Sequence, residues 1–298
     1  MKILNFGSLN IDYVYSVEHF VKPGETISAK KLETFCGGKG LNQSVALARA
    51  GACAYHAGSV GKEGGMLIEQ LKDAGADTGY VRIGDGPSGH AVIQVDNAGE
   101  NCIIINGGAN HTIGEEFIDR VMAGFEPGDI CLTQNELNNV PCILRSAHRR
   151  GVKVAFNPSP FDRDILNYPL DCVSWFILNE VEGEGITGET EPEAIAQNLL
   201  SRYPQCRVVL TLGKEGVLYR DRDTAASHGI YKVKAVDTTG AGDTFTGYFL
   251  AGISQGLELE EILTRASVAS SLAVSKKGAA SSIPRLDEVL ASHLVMAE

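Results

Sequence analysis

The stretch "DTTGAGDTFTGYFLAG" (237–252) sets Gly240, Ala241 and Gly242 directly before Asp243 and then enters an apolar run. Phe245, Phe249 and Ile253, with Tyr248 beside them, recur at helical spacing, and Gly256 is placed to end the helix. The stretch therefore predicts a rigid helix with a glycine-lined mouth. Small residues let backbone amides lie bare against a ligand. The first turn of a helix leaves four amide donors without intrahelical partners, at the positive end of the macrodipole. Together these make an anion site, in which a carboxylate is out of place unless it has a chemical role. The alternative is a glycine turn with Asp243 as a first-turn charge. Against it, "DTT" supplies hydroxyls and carbonyls that a simple turn does not require.

Working outward, the chain alternates helix and strand from about residue 111 onward. Strands are expected at 129–133, 152–157, 174–178 and 207–213, and helices around 138–150, 191–203, 241–255, 258–276 and 284–296. The first third opens with a short buried strand at 2–8, followed by a helix at 41–51, a strand at 53–61 and a helix at 64–76. Such alternation implies an α/β fold with a mainly parallel central sheet and helices on both faces. Two strand-rich segments interrupt it. One is 12–35, with a Pro-Gly turn at 23–24; the other is 89–106, a hairpin around Asn97-Ala98-Gly99-Glu100. They are expected to meet as a small β lid on one α/β domain spanning 1–298.

The totals narrow the function. Lys and Arg number 26 against 37 Asp and Glu, a formal charge of −11. Binding to nucleic acid or to an anionic membrane is therefore not expected. The seven cysteines (36, 53, 102, 131, 142, 172 and 206) are scattered without a C-x-x-C, which suits reduced thiols better than disulfides or zinc. Cys36 reads as a small buried filler. The start, "MKILNFGSLN", has no long apolar core, and no 18-residue apolar span follows, so a soluble cytoplasmic protein is expected.

Other nucleotide motifs are absent or misplaced. No G-x-x-x-x-G-K-[ST] occurs. "GDGPSG" (84–89) spells G-x-G-x-x-G but contains a proline and runs into a strand, whereas a dinucleotide fingerprint opens a helix. It reads as a turn. "CGGKGLNQSVALARAG" (36–51) is a second glycine-rich helix entry, in which Gly37, Gly38 and Gly40 allow close approach, Lys39 brings a cation and Asn42 a two-faced amide. By itself it is equally well a tight turn with a solvated lysine.

Taken in order, "GSLNID" (7–12), "GGKGLNQ" (37–43), "INGGAN" (105–110), "FNPSP" (156–160), "NEVE" (179–182), "TLGKEG" (211–216), "DTTGAGDTF" (237–245) and "KKGAASSIP" (276–284) carry a resemblance over essentially the whole chain. The sequence resembles the ribokinase-like (PfkB-type) carbohydrate kinases. The ordered pair of glycine motifs is specific; "NxxE" and "TLG" mean little alone. The resemblance implies phosphoryl transfer from ATP, with magnesium, to a primary hydroxyl of a small sugar, foremost the 5-hydroxyl of D-ribose. Deoxyribose, a hexose or a nucleoside are the alternatives, as is a catalytically silent sugar-binding regulator.

The same resemblance implies roles. Asp243 is the catalytic base, and the amides of Gly240, Ala241, Gly242 and Asp243 are the anion hole. Asn10, Asp12, Gly38, Lys39, Asn42 and Glu136 bind sugar hydroxyls. Asn179, Thr211, Gly213, Gly216 and Ser267 bind the nucleotide, and Glu182 takes part in holding magnesium. A potassium-type site is implied from the carbonyls of Asp237, Thr239, Ala273, Lys276 and Gly278 with Ser282. The chain departs from the usual pattern at Leu41, at Asn135 and at Ser267, which bear on the choice of sugar more than on the reaction. A lid with exposed edges and apolar positions such as Val14, Ile103 and Ile105 is expected to pack on a second copy, giving a homodimer.

Overall fold

A computed structural model describes residues 1–297. Thirteen strands are present among them: β1 (Lys2–Phe6), β2 (Asn10–Ser16), β3 (Lys31–Gly37), β4 (Cys53–Val60), β5 (Asp77–Ile83), β6 (Gly89–Val95), β7 (Asn101–Asn106), β8 (Ile130–Gln134), β9 (Lys153–Asn157), β10 (Val173–Asn179), β11 (Arg207–Thr211), β12 (Val217–Arg220) and β13 (Ala225–His228). The helices are α1 (Lys39–Arg49), α2 (Gly65–Ala74), α3 (Glu115–Met122), α4 (Val140–Arg149), α5 (Glu180–Thr187), α6 (Pro192–Arg202), α7 (Ala241–Gln255), α8 (Leu259–Val274) and α9 (Leu286–Leu290).

Nine strands form one sheet in the order β13-β12-β11-β10-β9-β8-β1-β4-β5, parallel except at one edge, where β12 runs antiparallel to both β11 and β13. Alternation along each strand divides the core in two. Ile3 of β1 packs with Leu41, Val45, Phe249 and Leu250 of α1 and α7. Leu4 and Phe6 face the other way, onto Phe117, Ile143 and Leu144 of α3 and α4. Burying each such side chain contributes roughly 1.5–3 kcal/mol, so the two layers together hold the sheet. The expected α/β architecture with helices on both faces is what forms.

β1 sits mid-sheet, with β4 and β5 on one side and β8 onward on the other. The strand order reverses there, and in such sheets ligands bind beyond the carboxyl ends at this point. A second sheet, ordered β3-β2-β6-β7, grows from the end of β1. Its strands β2 and β6 run parallel, while the β6–β7 hairpin turns at Gly99 (φ 84°). "GDGPSG" is a loop that leads into β6.

Three expectations change. The helix expected over 284–296 is only Leu286–Leu290; the chain then extends so that Met296 bridges Tyr231. β5, β12, β13, α3 and α5 were not legible, being short or only partly buried. The apolar stripe expected on α7 becomes burial on every side, because α7 lies between α1 and α8: Asp243 through Gly252 are all buried.

Candidate active site

Four neighbouring parallel strands end on polar residues: Gln134 on β8, Asn157 on β9, Asn179 on β10 and Thr211 on β11. Gln134 lies opposite Asn157 in register, and Asn179 opposite Thr211. A row of amides and a hydroxyl therefore rims the carboxyl edge of the sheet. α1 and α7 bring their first turns to this rim. Gly40 of α1 crosses the turn after β1 so closely that a Cβ would lie 2.2 Å from the amide nitrogen of Ser8. No other residue fits there.

Gly240 caps α7 in the left-handed conformation (φ 75°), and its carbonyl accepts from the amide and hydroxyl of Thr244, both at 2.8 Å. This turn presents the leading amides of α7 to a cavity of about 240 Å³. Lys39, Asn157, Asn179, Glu182, Thr211 and Gly240 through Asp243 line it. Asp243 is buried and gripped from both sides. Asn42 Nδ2 donates to its Oδ2 and Gln43 Nε2 to its Oδ1, each at 2.9 Å. The Asn42 Oδ1 is fully buried and has no protein partner.

Beside Asp243 lies a cluster of charge. Burial pulls the Lys39 ammonium down, but Asp243, Glu136 and Glu182 together outweigh it and hold it above its usual range. Glu136 Oε2 accepts from the Lys39 amide at 3.0 Å and from the Ser8 hydroxyl. Burial raises the Glu136 carboxyl against the opposing pull of Ser8 and Lys39. The Asp12 carboxyl is pushed up to about 6, first by burial and then by the charge of Glu136. Asn10 is less free than its position suggests, since its Oδ1 accepts from Asn110 Nδ2 at 2.7 Å. Gly38 (φ 93°) opens α1. Asn135, a departure from the usual pattern, turns away to Pro160, Asp162 and Tyr168, and Leu41 is core.

A second cavity of about 410 Å³ adjoins the first, sharing Asn179, Thr211, Ala241 and Gly242. Gly213, Gly216 and Ser267 also line it, with Val181, Ile230 and Phe245 as apolar wall. Asn179 and Glu182 form a capping box on α5: Asn179 Oδ1 accepts from the Glu182 amide at 2.9 Å, and the Asn179 amide donates to Glu182 Oε2 at 2.9 Å. That box accounts for much of "NxxE" by itself. No group of three or more His, Cys, Asp or Glu placed to hold a metal ion by itself occurs among the described residues. The donor set fits a magnesium ion held mainly by waters and phosphate, since this ion takes few protein ligands.

Segments 237–239 and 276–282 also come together. Asp237 Oδ2 accepts from the Gly278 amide at 2.9 Å and its Oδ1 from Thr239. Burial opposes ionisation of Asp237, yet these hydrogen bonds and Lys277 hold its carboxyl below the usual range. The Ala273 carbonyl accepts from the Lys276 amide at 3.0 Å, and the Ser282 hydroxyl donates to Ala279 O at 2.8 Å. All seven cysteines are unpaired. Cys36 is half-buried against α2, its thiol pushed up to about 11 by burial and Asp12.

Two residues in contact with Asp243 or its partners gave no signal as site residues in the sequence. Gln43 and Asn157 sit inside quoted motifs, but an isolated amide carries no spacing that marks it.

With this geometry in place, the whole chain can be compared with known proteins. Residues 1–286 match the pfkB family carbohydrate kinase. The chain belongs to this family. It is 33% identical to the ribokinase of Staphylococcus aureus (strain COL), over 97% of this chain and 98% of that one. Among solved structures, the Thermotoga maritima ribokinase is similar at 35% identity and a TM-score of 0.86, covering 97% and 98% of the two chains. A structure of Arabidopsis thaliana ribokinase complexed with ribose and ATP shows 32% identity and a TM-score of 0.84, covering 97% of each.

Proposed function

We propose that this carbohydrate kinase transfers the terminal phosphoryl group of ATP to the 5-hydroxyl of D-ribose. The observation that carries the reading is the placement of the Asp243 carboxylate at the mouth of α7, where the two cavities meet. The smaller cavity takes the sugar's reacting end and the phosphates; the larger one takes the nucleoside, with its base near Ser267 and the apolar wall. The similarity to a ribokinase complexed with ribose and ATP supports ribose and ATP as the substrates.

An alcohol is too weak an acid to ionise beforehand. Asp243 therefore orients the hydroxyl and accepts its proton as the new P–O bond forms, while the amides of Gly240 to Asp243 donate to the oxygens of the moving phosphoryl group. Lys39 adds positive charge between sugar and phosphate. Asn42 Oδ1, buried without a donor, is an acceptor for a sugar hydroxyl, and Asp12 and Glu136 accept from others, with Asn10 and Gly38 close beside them. Asn179 and Glu182 would hold magnesium through water, and the ion would neutralise phosphate charge. A potassium ion on the carbonyls of Asp237, Thr239, Ala273, Lys276 and Gly278 with Ser282 would strengthen the field at the anion hole. The four-stranded sheet acts as a lid, and two lids pack together in a homodimer. Unpaired thiols throughout suit a cytoplasmic enzyme.

The test is a coupled ATP-consumption screen over pentoses, 2-deoxyribose, hexoses and nucleosides. Ribose should give the highest kcat/KM. A higher value for any other acceptor replaces ribose as the substrate.

A further inference from the structure

We propose that Gln43 is a positioning residue for Asp243, itself held by a row of buried amides in which Gln134 donates both ways, to Gln43 on the side of Asp243 and to Asn5 on the side of Ser44. It rests on the reading of Asp243 as the proton acceptor. Gln43 lines neither cavity and is fully buried on α1. Its Nε2 is shared between Asp243 Oδ1 at 2.9 Å and Asn157 Oδ1 at 3.0 Å, and its Oε1 accepts from Gln134 Nε2 at 2.7 Å.

A carboxylate only accepts, so Gln43 must present its NH₂ to Asp243. Its carbonyl then faces away, and Gln134 must donate to it. The second hydrogen of Gln134 goes to Asn5 Oδ1 at 2.9 Å. Asn5 in turn donates to the Gly40 carbonyl at 2.8 Å and to Ser44 Oγ at 2.9 Å. Ser44 thus has its own hydrogen left for His56 Nδ1, 2.7 Å away. Burial pulls His56 down to about 4, so it is neutral near pH 7. Flipping Gln43 or Asn5 sets oxygen against oxygen and NH₂ against NH₂, and flipping Gln134 turns its oxygen onto those of Gln43 and Asn5. Donation runs outward from Gln134, and on one side Asp243 is the terminal acceptor.

Asn42 and Gln43, consecutive on α1, clamp the two oxygens of a carboxylate carried by α7. Rotation of that carboxylate is blocked, and its remaining lone pairs keep a fixed direction into the cavity. Displacement of a reacting group by about 1 Å can cost on the order of 10²-fold in rate. A Gln43 that merely satisfied buried polar groups would affect stability and leave turnover alone.

The experiment compares the full-length wild type with Asp243→Asn, Gln43→Leu, Gln43→Glu and Gln134→Met, measuring kcat, both KM values, the pH profile of kcat and Tm. Gln43→Leu should lower kcat by roughly 10- to 100-fold while the KM for ATP stays within about twofold. Gln43→Glu sets two carboxylates together, so that they share a proton and the acid limb of the profile moves to higher pH. Gln134→Met should lower kcat by less. Wild-type kcat and an unmoved pH profile in the Gln43 variants, beside an inactive Asp243→Asn, overturn the proposal. Full activity in Asp243→Asn overturns the proton-acceptor reading instead, and the proposal with it. If the Gln43 variants do not fold, Gln134→Met decides: kcat within about twofold of wild type overturns the chain of amides.

Discussion

The floor of the site and the four-stranded sheet above it are built in opposite ways. Beneath Asp243, polar side chains from α1, β1, β8 and β9 are buried and hydrogen-bonded to one another, and α7 is enclosed on all sides. Above it, β7 is exposed at every position, with Ile103 at 48%, Ile104 at 64% and Ile105 at 61%. Phe35 and Leu32 of β3 are exposed too. The floor is buried and hydrogen-bonded largely within one chain, whereas the outer sheet leaves apolar surface exposed. On the proposed reading, chemistry is prepared in advance on rigid elements, while recognition is left to the part that can still change its surroundings.

The most damaging change strikes the floor. Asp243→Asn keeps the shape and the contact with Gln43 in reach but removes the proton acceptor, so kcat should fall roughly 10²–10⁴-fold with little change in Tm. Steady-state turnover on the purified variant checks it, and near-wild-type turnover removes Asp243 from the mechanism.

Asp12 belongs to the outer sheet and should show the contrasting signature. Its loss in Asp12→Ala removes hydrogen bonds from sugar hydroxyls to a charged group, worth about 1.5–3 kcal/mol each, or roughly 10- to 100-fold in sugar affinity. ATP binding should not change. Calorimetry with each ligand separates the two, and an unchanged sugar affinity would show that the sugar does not lie against β2.

Protons probe the same residue more gently. With its carboxyl pushed up to about 6, Asp12 is ionised above that pH and protonated below it. Only the ionised form accepts from two hydroxyls, so the sugar KM should be flat at higher pH and rise as pH falls through about 6. Asp12→Asn should abolish the rise. Because Glu136 helps to raise Asp12, Glu136→Gln should move the rise to lower pH. A sugar KM that does not respond to pH in the wild type would contradict the assignment of Asp12.

Much of the floor was legible in the sequence, and the reason is local. A glycine mouth before an apolar helical run states its own conformation, so α7 and its cap follow from residues 237–256 alone. The C-terminal ends of β8 to β11 were legible as strands, but nothing in the sequence marks Gln134 and Gln43 as partners. Their contact comes from the strand order, which brings together residues 91 positions apart. The shortening of the last helix has the same origin, because the bridge between Tyr231 and Met296 is a tertiary contact.

A smaller effect tests whether the floor needs a cation. The 237–239 and 276–282 segments meet through Asp237 and Gly278 beside the mouth of α7. Potassium should therefore raise kcat a few-fold over lithium at equal ionic strength, since the smaller, strongly hydrated ion suits a set of carbonyls poorly. Equal rates would leave the anion hole working on its amides alone.

The smallest expected effect on turnover, and the sharpest on architecture, concerns the cover of the outer sheet. Register puts Val14, Ile93 and Ile103 in one row, and Asp12, Ala91 and Ile105 in the next, all on the same face. The apolar row is therefore the outward continuation of the face that carries Asp12. Val14 is half-buried, so Ile103 and Ile105 carry most of the exposed area. An exposed apolar row on a sheet whose edge strand β7 is open invites a second copy. A partner sheet laid there would also wall the mouth over the sugar, so dimerisation and sugar binding should be linked. Val14→Lys with Ile103→Lys should give a monomer by light scattering at micromolar concentration, raise the sugar KM a few-fold and leave kcat near wild type. Wild-type protein that is monomeric and fully active under the same conditions would mean that the outer sheet closes on its own core, and that the exposed apolar face needs only the substrate.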